Sequence, residues 1–581
     1  MPLPQILIAL VPGLPLAMAA LLAFAPARAA VRAVLPLAAL PALALTLLPD
    51  SALLAEPWLM LGGQFGTDPV GRVFMGFSAL IWAAAGWAAV GWMRGDDHAT
   101  GFAACFLLAM AGNLGMFTAR DVASLYALFA LMSFASYGLV VHGRSGSAFA
   151  AGRIYIVFVV AGELALFAGL ALMAANAGSL MLADLRAAPV SDIAAGLLLA
   201  GFAVKLGIMP LHVWLPPAHG AAPVPASAVL SGAMIKAGLF GMIAVMPFGV
   251  AEMPVHGTVL MAAGLVTIFA AGLGGVNSDS PKAVLGWSSV SQMGLMALGL
   301  GAALTVPGAW ALVLPALMFQ AAHHGLAKGA LFLGTGAFGA AAALRGSWAA
   351  LPLLALPMAA LVGLAPLSGY AAKEGLRAAL AAGPAGWVPW LVLALTLSGL
   401  VTTLLMGRYL LTLWRQVPTV PRAVVEGPGW VALPAATLAA CGVLLLGLWP
   451  LAGFGPVPSS WPKDWLTQWP VAAGVVLSVA GAIWGHAQRV GPLVLLAQVM
   501  APWHAAEAYG QHKVRMTQRA ARRLARAIPA HIDAVAARWR LGQAAMAAVL
   551  VALLAVEAPA LFSQIAEHAP FAAAGPDLPQ P

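Results

Sequence analysis

Charge is scarce in this chain. Only 8% of its 581 residues are Asp, Glu, Lys or Arg, against 62% that are hydrophobic, and the mean hydropathy is +0.94. So little charged surface cannot keep a soluble domain solvated, which leaves an integral membrane protein. Cysteine is scarce too. Cys105 and Cys441 sit in separate apolar stretches, which excludes a disulfide framework or a thiolate metal site and leaves both as packing residues. Apolar runs with period-two alternation are missing, so helices are expected and a barrel is not. There is no CxxC, HExxH or P-loop, so no metal and no cofactor are expected. The net charge of +9 does not call for nucleic acid, because the positive residues fall in short loops and in one late segment.

What is present is a series of apolar runs of membrane-spanning length. They predict helices near 3–24, 29–48, 70–92, 101–118, 122–142, 152–174, 193–210, 227–248, 255–276, 288–303, 310–338, 351–382, 388–413, 430–454, 470–485 and 543–561. The small-residue motif at 23–30 resembles a signal-cleavage site, but nothing basic precedes the first run, so 3–24 is expected to be a membrane helix. The stretches 310–338 and 351–382 are too long for simple spans, and Gly363, Pro366 and Gly369 predict a broken helix in the second. Arg28, Arg32, Arg144, Arg153, Arg345, Arg408, Arg415 and Arg422 fall on one side, while Asp50, Glu56, Asp68, Asp184, Asp192 and Glu252 fall on the other. The basic side is expected to be cytoplasmic, which places both termini outside if the count holds.

The fold expected is all-α: a polytopic bundle of about sixteen transmembrane helices, with a basic amphipathic surface helix near 505–540 before the last span. That helix carries Arg519, Arg522, Arg523 and Arg526, and it either lies on the anionic leaflet or braces a neighbour. The organisation reads as N-terminal helices at 1–100, a core at 101–415, additional helices at 416–500, the amphipathic helix at 501–541 and a last helix and tail at 542–581.

The chain is organised around the stretch 201–241, an apolar helix carrying Lys205, a break from 209 to 225 with five prolines, and a second apolar helix carrying Lys236. Backbone freed of helical hydrogen bonds at membrane depth persists only where protein or a water-filled cavity satisfies it, so the stretch lines a polar path. An echo of this break, at 363–373 and followed by Lys373, points to two inverted repeats containing broken helices. Of the seven lysines, Lys205, Lys236, Lys328 and Lys373 lie in or beside apolar helices, whereas the arginines lie mostly in loops. A lysine at mid-bilayer costs roughly 2.5–3.5 kcal/mol on insertion scales, and unlike arginine it changes protonation state readily when desolvated. That division suits a proton relay. His324 lies one turn before Lys328 on the same helix face, His323 is beside it, and His212 and His219 frame the first break.

At this point the residues carry a resemblance. KLGIMPLHVWLPPAHGAAPVPASAVLSGAMIKAGLFG, with SPKAVLGWSSVSQMGLMALGLG at 280–301, HGLAKGALFLGTG at 324–336 and APLSGYAAKEG at 365–375, resembles the antiporter-like membrane subunits shared by respiratory complex I, membrane-bound hydrogenases and Mrp-type antiporters. The resemblance implies that Lys205, Lys236, Lys328 and Lys373 form a buried proton-moving axis. It also implies a glutamate that pairs with Lys205, at a position where this chain has Ala130. Glu163, the acid inside the next helix, is the candidate replacement. Ala130 lies about 12 Å in from one end of its helix and Glu163 about 16 Å in from the opposite end of the next, similar depths in a core about 30 Å thick.

The function implied is that of a proton-translocating subunit in a membrane-bound redox complex of the NADH-quinone oxidoreductase or hydrogenase type, in the cell inner membrane. Its partners would be other membrane subunits, the lipid bilayer and protons, with sodium as another possible cargo, and any redox centre would belong to other chains. Two alternatives stand beside it: a non-pumping scaffold or ion conduit of the inorganic-carbon-uptake type, and an Mrp-type cation/proton antiporter subunit.

Overall fold

A computed structural model describes residues 2–48, 53–56, 59, 61–343, 347–416, 429–454, 461–462 and 465–488. The amphipathic helix and last span expected after residue 500 lie outside the described residues.

The first half runs α1 Leu3–Leu21, α2 Arg28–Ala33, α3 Leu40–Thr46, a hairpin of β1 Leu53–Glu56 and β2 Gly63–Gly66, then α4 Pro69–Trp92, α5 Ala99–Met116, α6 Val122–Val140, α7 Gly146–Ala177, α8 Leu182–Ala187, α9 Asp192–Leu206 and α10 Leu215–Ala221. It continues as α11 Val224–Val229, a π-helical turn at Leu230–Met234, α12 Lys236–Val245, α13 Pro254–Val276, α14 Pro281–Thr305, α15 Trp310–Ala343, α16 Ser347–Val362, α17 Ser368–Ala381, α18 Val388–Gln416, α19 Gly429–Leu448 and α20 Trp469–Gln488.

The chain is thus a helical polytopic membrane protein. Among the described residues ten helices are long and apolar enough to cross a bilayer, or eleven if the segment bent by 71° at 25–46 counts as one. Of the expected sixteen, the span at 543–561 lies outside the described residues, and those at 193–210 and 351–382 form helices shorter than a full span. The all-α expectation holds, with one small antiparallel hairpin beside the helices that pairs Leu53 with Gly66 and Glu56 with Gly63. It is held to the bundle by Asp121, which caps α6 through Ser124 N and accepts from Gln64 N at 2.8 Å.

Helix starts follow local chemistry. Asp68, Asp121, Ser145, Ser191 and Ser280 each accept from the backbone N–H three residues on, capping α4, α6, α7, α9 and α14. The break expected from 209 to 225 is only partly non-helical, because Pro216 and Pro217 open α10 in its first turn, where a missing N–H costs nothing. Gly207, at φ 73°, and Gly363, at φ 85°, take the left-handed conformation that ends α9 and follows α16. The interruption expected in 351–382 is therefore present, whereas 310–338 forms one uninterrupted helix, α15, with Pro315 near its start.

Nearly every residue of the most apolar stretch of Val224–Val245 and of Pro281–Thr305 is buried, and the two form the centre of the bundle. Close glycine crossings build the surrounding layer. A Cβ on Gly264 would lie 2.8 Å from Gly294 O, and one on Gly301 would lie 2.6 Å from Gly257 O, so α13 and α14 meet backbone to backbone. Gly201 approaches Gly162 O in the same way, at 2.8 Å, and sets α9 against α7.

Candidate functional site: a row of buried lysines

The α7–α9 crossing decides where the first lysine points. Lys205 lies in the last turn of α9, is 4% exposed, and donates from Nζ to Ser133 Oγ on α6 at 3.1 Å. Its ammonium also sits 5.6 Å from the centroid of the Phe129 ring. Glu163 of α7 is the carboxylate whose charge acts on Lys205, and the side chain that meets that carboxylate is again Ser133. The buried acids among the described residues are Asp121, used as a cap, and Glu163, whose Oε2 has no hydrogen-bond partner among the described residues. Tyr155, fully buried, donates its hydroxyl to Ser133 O at 2.8 Å. Lys205, Ser133 and Glu163 thus form one buried polar group, with Tyr155 tied to the Ser133 carbonyl.

A second group starts where α12 begins. The π turn closes the wide ring Ile235 N to Leu230 O at 3.1 Å, and Lys236 Nζ donates to Ser231 O at 2.5 Å. A π turn leaves a carbonyl without its usual helical partner, and here the lysine takes it. Lys328 of α15 donates to Leu285 O of α14 at 2.8 Å, and its charge acts on Lys236. His219 of α10, stacked on Phe332 at 4.7 Å, lies within electrostatic reach of Lys328, Lys282 and Lys236. His324 faces Lys236, Lys328 and His323, and neither of its ring nitrogens has a hydrogen-bond partner among the described residues.

From there the row continues outward along the second broken helix. His323 Nδ1 pairs with Ser368 Oγ at 3.0 Å, and the charge of Lys373 reaches its ring. Lys373 donates to Val362 O, the last carbonyl of α16, at 2.9 Å. It lines a cavity of about 30 Å³ with Glu374, Arg377, Tyr370 and Thr396, room for one or two waters. Arg377 Nε pairs with Glu374 Oε1 at 3.1 Å. Each of the four lysines ends on a hydroxyl or a carbonyl, and two of those four acceptors, Ser231 O and Val362 O, lie at a π turn or a helix end.

Of the proposed relay residues, Glu163, Lys205, Lys236, His324 and Lys328 are buried and Lys373 is half-buried, and they fall in two groups. Glu163 and Lys205 make the first, and Lys236, His324, Lys328 and Lys373 belong to the second. Sequence reading missed Ser133, although it lies three residues after Ala130 on the same helix face. It also missed Lys282, which donates to Ala222 O at 2.5 Å, and a chain of amides in which Gln320 Nε2 donates to Gln292 Oε1 at 2.9 Å and Gln292 Nε2 to Thr402 Oγ1 at 3.0 Å. Glutamine and serine in apolar helices were the available signal.

The model of the family described as "NADH:quinone oxidoreductase/Mrp antiporter, TM" matches residues 119–405, the stretch that holds every one of these groups. A probable K(+)/H(+) antiporter protein of Rhizobium meliloti is 30% identical over 377 residues, 56% of this chain and 69% of that protein. The chain belongs to this family. Among other members, hydrogenase-4 component B of Escherichia coli is 36% identical over 227 residues, which are 36% of this chain and 33% of that protein. NADH-quinone oxidoreductase subunit N of Desulforudis audaxviator is 30% identical over 294 residues, 48% of this chain and 56% of its own length. The matches thus span a third and about half of these two relatives. The fold is shared with the Mrp complex from Dietzia, at TM-score 0.68 and 22% identity over 100% of this chain and 64% of that one. It is shared also with the archaeal membrane-bound sulfane sulfur reductase, at TM-score 0.64 and 21% identity over 81% and 98%. Family members of this kind are subunits of multi-subunit membrane complexes.

Proposed function

We propose that the chain moves protons through the membrane as an antiporter-like subunit of a larger complex, with Lys205, Lys236, Lys328 and Lys373 as the relay, His324 between them, and Glu163 as the counter-charge that sets the state of Lys205. The observation that carries this reading is the contact of Lys205 with Ser133 opposite the buried Glu163. A buried ammonium and a buried carboxylate flanking one hydroxyl form a donor, bridge and acceptor, an arrangement that structural packing does not require. The side with the arginine loops is cytoplasmic, the membrane is the inner one, and the redox chemistry that drives the relay belongs to partner subunits. The relative named as a probable K(+)/H(+) antiporter subunit favours a second reading, in which the same row exchanges protons for an alkali cation.

The test is proton uptake by proteoliposomes holding the intact complex, followed with a pH-sensitive dye while the complex turns over. Lys205→Ala and Glu163→Gln are each expected to cut uptake at least tenfold. Full uptake with both substitutions would refute the relay, and uptake that requires added sodium or potassium would select the exchange reading.

A further inference from the structure

One side chain reaches from the turn that carries Lys236 to the serines of the Lys205 group. On the first side, Ser133 and Tyr155 lead to Ser136, whose hydroxyl meets the Tyr155 side chain and donates to Met132 O at 2.5 Å. On the second side, Ser231 carries Lys236 on its carbonyl and pairs through Oγ with Ser289 Oγ at 2.7 Å. Between them stands Met234, 1% exposed, with its Sδ 3.7 Å from Ser136 Oγ. The charge that acts on Lys205 is that of Glu163, and the charge that acts on Lys236 is that of Lys328. A thioether has no proton to give and is at best a weak acceptor, so a proton that reaches Ser136 stops there. On the α9 side of the same helix, Leu206 Cδ1 and the backbone of Phe202 crowd Gly238.

Met234 is the last residue of the π turn, and that location matters. A π turn holds one residue more than the α-helix would, so its return to α geometry rotates everything after it by one residue, about 100° about the axis. Lys236 would then take the direction that Ala237 now has, which turns it toward the side where Gly238 meets α9. Ile235 would replace it in front of Lys328.

We propose that Met234 is the gate between the two halves of the row, closed in this structure, and that rewinding of the Leu230–Met234 turn opens it by carrying Lys236 toward Ser136. The proposal rests on the proton-relay reading and adds to it the residue that insulates the relay between strokes. An insulator is needed because a continuous polar path would let protons run back without doing work.

The experiment measures passive proton flux in proteoliposomes of the intact complex under an imposed pH difference, without turnover. The wild-type protein and Met234→Leu should be tight. Met234→Ser leaves a space lined by hydroxyls that admits water, and it should raise passive flux at least tenfold; the nearly isosteric Met234→Gln gives the same reading should the serine variant not assemble. Adding Lys205→Ala should remove the leak, because the leak runs along the row. Deleting Ala233 fixes the turn as α-helix with Lys236 in its present direction, and should leave the membrane tight while abolishing driven uptake. Tight membranes with both polar variants, or a leak that survives Lys205→Ala, would overturn the gate. Driven uptake that is untouched by Lys205→Ala alone would instead refute the relay itself, so the two failures are distinct.

Discussion

Gly363 and Lys373 fit against each other across the second break. A Cβ on Gly363 would lie 3.0 Å from Lys373 Cδ and 3.1 Å from its Nζ, and the glycine's φ of +85° is one that L side chains avoid. The break therefore both presents the Val362 carbonyl and leaves room for the ammonium that uses it. Gly363→Ala adds about 1–2 kcal/mol of backbone strain and pushes the lysine off its acceptor. The expected outcome is a folded complex with proton uptake reduced more than tenfold, read in proteoliposomes. Unchanged uptake would show that Lys373 does not depend on this fit.

Ser133 is the hinge of the first group, since Lys205 donates to it and Glu163 faces it. Ser133→Ala removes a hydrogen bond to a charged group, worth about 1.5–3 kcal/mol. Proton uptake should fall by about tenfold to a hundredfold, with Ser133→Thr, which keeps the hydroxyl, close to wild type. Equal loss in both variants would point to packing rather than to the hydroxyl.

Outside the membrane segments, Asp96 and His142 pair at 2.8 Å on the side of the arginine loops. Partial burial works to raise the Asp96 carboxyl, but hydrogen bonds from His142 and from His98 N outweigh it and hold the group below its ordinary range. A carboxyl lowered on folding adds stability that is full above the unfolded value, about 4, and is lost as pH falls through the folded one. The melting temperature of the wild-type protein should therefore fall more steeply than that of Asp96→Asn between about pH 5 and pH 3. Parallel curves would show that the pair does not latch these loops.

The amide chain from Gln320 through Gln292 to Thr402 ties α15, α14 and α18 together in the buried centre. Gln292→Ala strands Gln320 Nε2, at about 1–3 kcal/mol, while Thr402 Oγ1 keeps its bond to Ser398 O. A lower melting temperature is expected, with loss of function following stability. A variant as stable as wild type would mean that water replaces the amide.

Nearly every helix was legible as an apolar run, and the broken α16–α17 pair was legible from Gly363 and Pro366. The lysines were legible for the same reason: an ammonium in an apolar helix stands out in any reading. What escaped depended on contacts between distant segments. The π turn has no composition of its own, and Ser133 is ordinary until α9 brings Lys205 to it. Lys282 looked like a loop residue because it opens α14. The length of 310–338 argued against a simple span, yet α15 remains one helix, about 50 Å at 1.5 Å per residue, and so carries His323, His324 and Lys328 at fixed spacing.

The backbone crossing of α13 and α14 at Gly264 and Gly294 leaves α14 without lateral play. In mechanical language it is a stator. Leu285, which holds Lys328, and Ser289, which holds Ser231, stay fixed on it while α12 is the rotor. The stroke of such a machine is a single residue of helix, about 1.5 Å of rise and about 100° of turn, and the Ser231–Ser289 hydrogen bond is its bearing. A bulky side chain at Gly264 would then loosen the reference frame of the stroke without touching any lysine.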